Sequence, residues 1–222
     1  MWTLYHQPLS AFCRKVRLFL GEKRIDCELR LEAPWERRED FLALNPAGEV
    51  PVLENVDGTT LADSQAICEY VEDMQPEPRL IGADASERAE VRRLVGWFDR
   101  KFNAEVTENL VGEKVFKRLL RSGHPDSLAI RAGHQNIRGH LDYISFLMER
   151  RTWLAGDSLT LADLAAAGHL SCVDYIGDVP WDQFEEAKTW YARLKSRPSF
   201  RPLLADYLPG LAPASVYADL DF

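Results

Sequence analysis

The sequence has little of what would commit it to several classes of function. It holds four cysteines, Cys13, Cys27, Cys68 and Cys172. No two form a C-x-x-C pair, so neither a disulfide framework nor a dithiol redox centre is expected. The histidines include no H-E-x-x-H, and His134 and His140 are spaced poorly for one helical face, so no metal site is expected. No apolar run approaches the roughly 20 residues a membrane span requires. Met1-Trp2-Thr3-Leu4-Tyr5 has no basic n-region and no long apolar core, which predicts no signal peptide and a cytoplasmic location. Basic residues are in deficit, 27 Lys and Arg against 35 Asp and Glu, a formal charge of −8. That argues against broadly electrostatic binding of nucleic acid.

What is present is an ordinary globular balance, 46% hydrophobic and 28% charged, in 222 residues. Such a length makes one large domain or two small ones, with a core that needs no staples. The charge is uneven. Residues 1–80 carry 9 basic and 15 acidic groups, residues 88–151 carry 13 and 8, and residues 152–222 carry 5 and 10. An acidic chain thus contains one basic stretch.

Periodicity divides the chain in two. Trp2–Tyr5 is a short strand. Phe12, Val16, Phe19 and Leu20 recur at helical spacing up to Gly21. Residues 26–31 alternate as a half-buried strand, and Glu36–Leu44 is a short helix. Val50–Leu53 and Thr59–Leu61 form a hairpin across Asp57-Gly58. Ser64–Met74 is a helix. The order βαβαββα is a thioredoxin-like arrangement. Pro76 and Pro78 break the chain. Helices follow over 86–120, 126–150, 161–173, 181–196 and 198–205. The expected fold class is α/β plus all-α: a thioredoxin-like domain over 1–75, a linker over 76–85, a helical-bundle domain over 86–207 and an extended tail over 208–222.

Three loops carry the chemistry. Ser10-Ala11-Phe12-Cys13 opens the first helix, where a redox pair would begin with a thiol. Here a hydroxyl leads, able to cap the helix or to donate to a bound thiolate that the helix dipole also favours. Cys13, turned inward, makes a thiol reductase the weaker alternative. In Asn45-Pro46-Ala47-Gly48-Glu49-Val50-Pro51, a cis Pro51 would leave the Val50 N–H and C=O outside the sheet and free for a peptide-like ligand; a rigid loop-to-strand turn is the other reading. Asp63 and Ser64 begin a helix whose free N–H groups suit an anion, or merely cap it.

Taken in this order, the three loops make the chain resemble the glutathione transferase superfamily along nearly its whole length. The resemblance implies that Ser10 activates the glutathione thiol. Val50 and Pro51 would hold its cysteinyl backbone, and Asp63 and Ser64 its γ-glutamyl end. Many relatives have Glu or Gln where this chain has Asp63. An electrophile would lie over Phe12 and apolar residues of the long helix. Gly156-Asp157-Ser158-Leu159-Thr160-Leu161-Ala162-Asp163 matches the family's capping box, Thr160 at N-cap and Asp163 at N3. Family members dimerise through the helices after the linker, which implies a homodimer.

The tail ends Asp219-Leu220-Asp221-Phe222, alternating acid and apolar residue. With Pro34-Trp35-Glu36 it resembles a narrower group, the glutathione-transferase-like division proteins of α-proteobacteria. These bind the tubulin-like polymer FtsZ and regulate constriction. That likeness implies FtsZ as partner, the division site as location, and contact through Trp35, the tail and basic residues of the long helix, among them Lys114, Lys117 and Arg118. The alternatives are a tail folded back on its own domain and a solvated helix with pairs such as Glu113–Lys117. Two functions remain open: a polymer-binding module, or an enzyme conjugating glutathione to small electrophiles.

Overall fold

The computed structural model describes residues 1–220. Its first unit is a sheet ordered β2-β1-β3-β4. Strand β1 (Trp2–His6) runs parallel to β2 (Cys27–Leu31) and antiparallel to β3 (Val52–Asn55), which turns back into β4 (Thr60–Ala62). Parallel neighbours need a crossover, and α1 (Ala11–Lys23) supplies it. Leu4 and Leu53 face α1 and α3 (Ser64–Met74), while Tyr5 and Val52 face Phe41 of α2 (Glu39–Leu44).

The second unit is helical. A long rod runs through α4 (Ala85–Gly96), a π-helical stretch (Trp97–Phe116) and α5 (Lys117–Leu120). It packs against α6 (Ser127–Met148) and α7 (Leu161–Tyr175); α8 (Glu185–Lys195) and the short α9 (Arg201–Leu204) follow. Every residue of α7 is buried. Its start is fixed by Asp163, whose Oδ2 accepts from the Thr160 N–H at 3.0 Å and whose Oδ1 accepts from the Leu154 N–H and the Trp190 indole.

Two sequence expectations are corrected. Gly21 does not end α1, which continues to Lys23 and is capped by Arg24 in the left-handed region. A Cβ at Gly21 would stand 2.9 Å from that of Ser199, so the glycine permits a close approach within the helix. Residues 181–196 are not one helix. The Trp181 indole donates to Asp174 at 2.9 Å and stacks on Tyr191, holding a 3-10 turn (Trp181–Gln183) apart from α8.

The units are joined across α1. At Gly168 of α7, an added Cβ would lie 2.8 Å from the Ala11 carbonyl and 3.0 Å from the Lys15 nitrogen, so the two helices touch backbone to backbone. Four cations are buried along α1: Arg14, Lys15, Arg17 and Lys23. Arg14 and Arg17 share Asp206 at 3.2 and 2.7 Å, Lys15 pairs with Asp99, and Lys23 pairs with Glu72 at 2.6 Å. At the far end of α1, Glu22 takes Arg197 at 2.6 Å.

The tail folds back as far as Tyr217, whose side chain is fully buried. Its hydroxyl accepts from Arg14 Nη1 and donates to the Leu203 carbonyl, each at 3.0 Å. Ala214 N–H donates to the Tyr175 carbonyl, and Tyr175 OH donates to that of Leu211. Beyond this anchor Leu220 is exposed. Asp221 and Phe222 lie outside the described residues.

One buried group makes stability depend on pH. His6, at the end of β1, is 4% exposed, and its Nδ1 has no partner among the described residues. Burial first, then the Arg17 charge, pushes its pKa down to about 4. The unfolded chain takes up this proton near pH 6.5 and the folded chain only near 4. Stability is therefore complete above 6.5 and falls between 6.5 and 4, by at most about 3 kcal/mol. A His6→Gln variant is expected to lose less stability than the unaltered chain between pH 7.5 and 4.5, as read from urea midpoints. Equal losses would show that His6 is not the group responsible.

Candidate functional site

A cavity of about 250 Å³ opens between the start of α1, the loop before β3 and the start of α3. It is lined by Phe12, Asn45, Ala47, Glu49, Val50, Pro51, Ala62, Asp63 and Ser64. Local sequence explains each wall. Asn45 shapes the loop through its own amide: Nδ2 donates to the Glu49 carbonyl at 2.9 Å, and Oδ1 accepts from Ala47 N–H at 3.2 Å. The Val50–Pro51 bond is cis. No backbone hydrogen bond among the described residues uses the Val50 N–H or C=O.

Asp63 stands at φ 76°, before α3. Its Oδ1 accepts from the N–H groups of Gln65 and Ala66 at 2.7 and 3.0 Å. Two of the helix's free donors are thus already satisfied by its own cap. Ser64, 4% exposed, lines the cavity beside it. Ser10 caps α1, its Oγ accepting from the Cys13 N–H at 3.3 Å. The hydroxyl proton can still donate, and the buried Cys13 sulfur is within its reach. α1 contributes Phe12, and no other residue of that helix, to the lining.

The lining contains two acids and no Lys or Arg. Oriented N–H groups and hydroxyls are thus the anion-binding groups of the lining itself, and the Arg37 guanidinium stands beside its loop, 3.6 Å from the place of a Cβ at Gly48. All nine lining residues belong to the N-terminal unit; the rod contributes none, although an electrophile was expected to lie against it. Instead, Phe12 is backed by a buried polar chain. Its ring meets His169 edge-on at 5.4 Å, and His169 bonds Thr107 at 2.9 Å and reaches Asp99 at 3.4 Å. Burial raises the Asp99 pKa, but His169 and Lys15 outweigh it and hold the carboxyl below its ordinary value.

Sequence reading singled out Ser10, Val50, Pro51, Asp63 and Ser64. The structure brings the last four to one cavity and leaves Ser10 at the adjoining helix cap. Asn45 and Glu49 escaped it as lining residues, although the Asn-Pro-Ala-Gly run marked their loop. The residues expected to meet a partner are less free than their charges imply. Lys114 pairs with Asp178 at 2.5 Å and Lys117 with Glu113 at 2.6 Å. Arg92, Arg93 and Lys101 are also paired. Arg118 and Arg121 are exposed and have no ion pair among the described residues. Tail residues 208–211 cross this end of the rod, against Lys114, Val115, Arg118 and Leu119. Trp35 stands elsewhere, 39% exposed on the 3-10 turn Pro34–Glu36. Asp219 is bonded through its N–H to the Val216 carbonyl.

Comparison with known proteins agrees with this fold. The model of the glutathione S-transferase N-terminal domain matches residues 4–79, and that of the C-terminal domain matches residues 131–198. FtsZ-localized protein A of Caulobacter vibrioides is 52% identical over 223 residues, covering 99% of this chain and 98% of that protein. A crystal structure described as a glutathione S-transferase from Rhodospirillum rubrum F11 is 59% identical, with a TM-score of 0.98 and both chains fully covered. The structure of FzlA from C. crescentus is 52% identical, with a TM-score of 0.97, covering 100% of this chain and 99% of that one.

Thiol chemistry of the chain itself is suppressed. Cys13 is fully buried, and burial pushes its pKa up to about 11. At pH 8 about one molecule in a thousand would hold it as thiolate. Cys68 and Cys172 are also fully buried, with pKa values raised to about 12 and 11, while Cys27 is half-buried. Alkylation of dilute native protein at pH 8, followed by mass spectrometry, is expected to label Cys27 first. Rapid labelling of Cys13 would restore a thiol reductase to consideration.

Proposed function

The chain belongs to the glutathione S-transferase family, and from that premise we propose that it is a binding protein that docks on the FtsZ polymer in bacterial cell division. The observation that carries this reading is the 52% identity, over 99% of the chain, to a protein named for its localisation with FtsZ. It is supported by the 52% identity and TM-score of 0.97 to the structure of FzlA from C. crescentus. In this reading the fold is reused as a module. Arg118 and Arg121 offer unpaired positive charge to an acidic partner. The sequence after Tyr217 carries acidic and apolar residues, among which Leu220 is exposed, with Trp35 as a further contact. A homodimer, the family's habit, would present each surface twice and raise apparent affinity on a polymer. The protein would then act at the division site.

The second reading is a transferase. It is favoured by the cis Val50–Pro51 loop beside Ser64, and by the relative from Rhodospirillum rubrum described as a glutathione S-transferase. Glutathione would be ligand or substrate there, with Val50 and Pro51 along its cysteinyl backbone. Asp63 and Ser64 would lie at its γ-glutamyl end, and the Ser10 hydroxyl would donate to the sulfur. The two functions are compatible in one molecule.

Co-pelleting with FtsZ polymer separates them. A deletion of residues 218–222 spares the Tyr217 anchor, and a second variant carries Arg118→Glu with Arg121→Glu. Each is expected to reduce pelleting about threefold or more, and added salt to weaken what remains. If the unaltered chain and both variants stay equally in the supernatant at low salt, the docking reading fails. Calorimetry with millimolar glutathione on the same preparation tests the second reading, which an absence of heat would overturn.

A further inference from the structure

The sheet has an open edge at β2. All of its residues except Cys27 are exposed. Glu32 N–H donates to the His6 carbonyl, so the even-numbered residues of this stretch turn their backbone groups toward β1. By alternation, Cys27, Leu29 and Leu31 turn theirs outward. Among the described residues, no backbone or side-chain hydrogen bond outside the sheet ladder reaches residues 27–31 through the main chain. Leu29 and Leu31 are 42% and 67% exposed, a display of apolar side chains on an edge strand.

Beside this edge lies a groove of about 280 Å³. Its walls include Leu20, Ile25, Cys27, Leu29, Pro202 and Leu203. Leu4 faces the main core and pairs with Leu29, so Leu29 and its alternates lie on the groove's side of the sheet. A strand added outside β2 would direct every second side chain into the groove.

We propose that β2 is a self-association strand: two copies of this chain pair antiparallel about Leu29, extending the sheet from one molecule into the next. Three features of Cys27-Glu28-Leu29-Arg30-Leu31 select a second copy as the occupant. About a two-fold axis at Leu29, Glu28 faces Arg30 of the other copy and Arg30 faces its Glu28, so the charges match without help from another protein. Within one chain these two side chains are 3.7 Å apart and each is 52% exposed, so pairing gathers four alternating charges. The outward backbone groups coincide in the same register: Leu29 exchanges both bonds with its counterpart, and Cys27 does so with Leu31. Finally, Leu31 of each copy falls opposite Cys27 of the other, beside the groove that Cys27 lines. An exposed apolar side chain thereby gains a recess, twice per contact. This surface is separate from the rod and the tail.

Sedimentation equilibrium of the full chain over a range of concentrations tests the pairing. Glu28→Arg places Arg against Arg30 of the other copy, and Arg30→Glu places Glu against Glu28. Each single variant is expected to weaken association about tenfold or more. The double exchange E28R/R30E restores the alternation, and its association should return to within about twofold of the original. Far-UV circular dichroism confirms that the variants remain folded. Cys27 alkylation adds an independent readout: it should slow with rising concentration in the unaltered chain and not in the single variants. The proposal is overturned if the single variants associate as the unaltered chain does. That result would mean Glu28 and Arg30 merely guard the edge. It is equally overturned if the double exchange fails to restore association, or if the unaltered chain shows no association that the single variants lose.

Discussion

Positive charge buried along α1 is the constraint on which the rest of the structure depends. Arg14 reaches Asp206 and the Tyr217 hydroxyl, and its Nε donates to the Pro8 carbonyl at 2.6 Å. One guanidinium therefore touches the loop before the candidate site, the helical domain and the tail. Arg17 completes the Asp206 pair, and Lys15 enters the Asp99–His169 chain behind Phe12. Isolated cations at these positions would be prohibitively costly, so each carboxylate has to arrive with its own segment. The consequence is a molecule whose two domains and tail are ordered together.

That coupling explains which features could be read from sequence. The succession of strands and helices, the Thr160–Asp163 box and the loop at Pro51 are local, because residues a few positions apart determine them. The apolar face of α1 was legible as Phe12, Val16, Phe19 and Leu20. The burial of Arg14, Lys15, Arg17 and Lys23 was not, because their partners lie far along the chain and no periodicity announces them. Gly21 reads as a helix end in one dimension and is a contact in three. The basic stretch shows the same limit: its charge is countable, but Asp178 and Glu69 neutralise parts of it from outside the stretch.

The site follows from the same scaffold. The shared fold fixes a cavity with an unbonded Val50 backbone and Ser64 at a helix start. Function depends on what surrounds that cavity. Here the surroundings are acids, a phenylalanine backed by a buried polar chain, and no wall from the rod. The tail belongs to this scaffold as well, since its anchor, Tyr217, is a core residue.

Native-state hydrogen exchange on an Asp206→Asn variant tests the coupling most directly, since it removes the carboxylate shared by Arg14 and Arg17. Breaking a buried pair of this kind costs on the order of 3 kcal/mol. The expected result is that amides of β1, α7 and residues 208–217 lose protection together and by similar factors. A loss confined to residues 201–217, with the sheet and α7 unchanged, would contradict the claim that α1 holds these parts as one body.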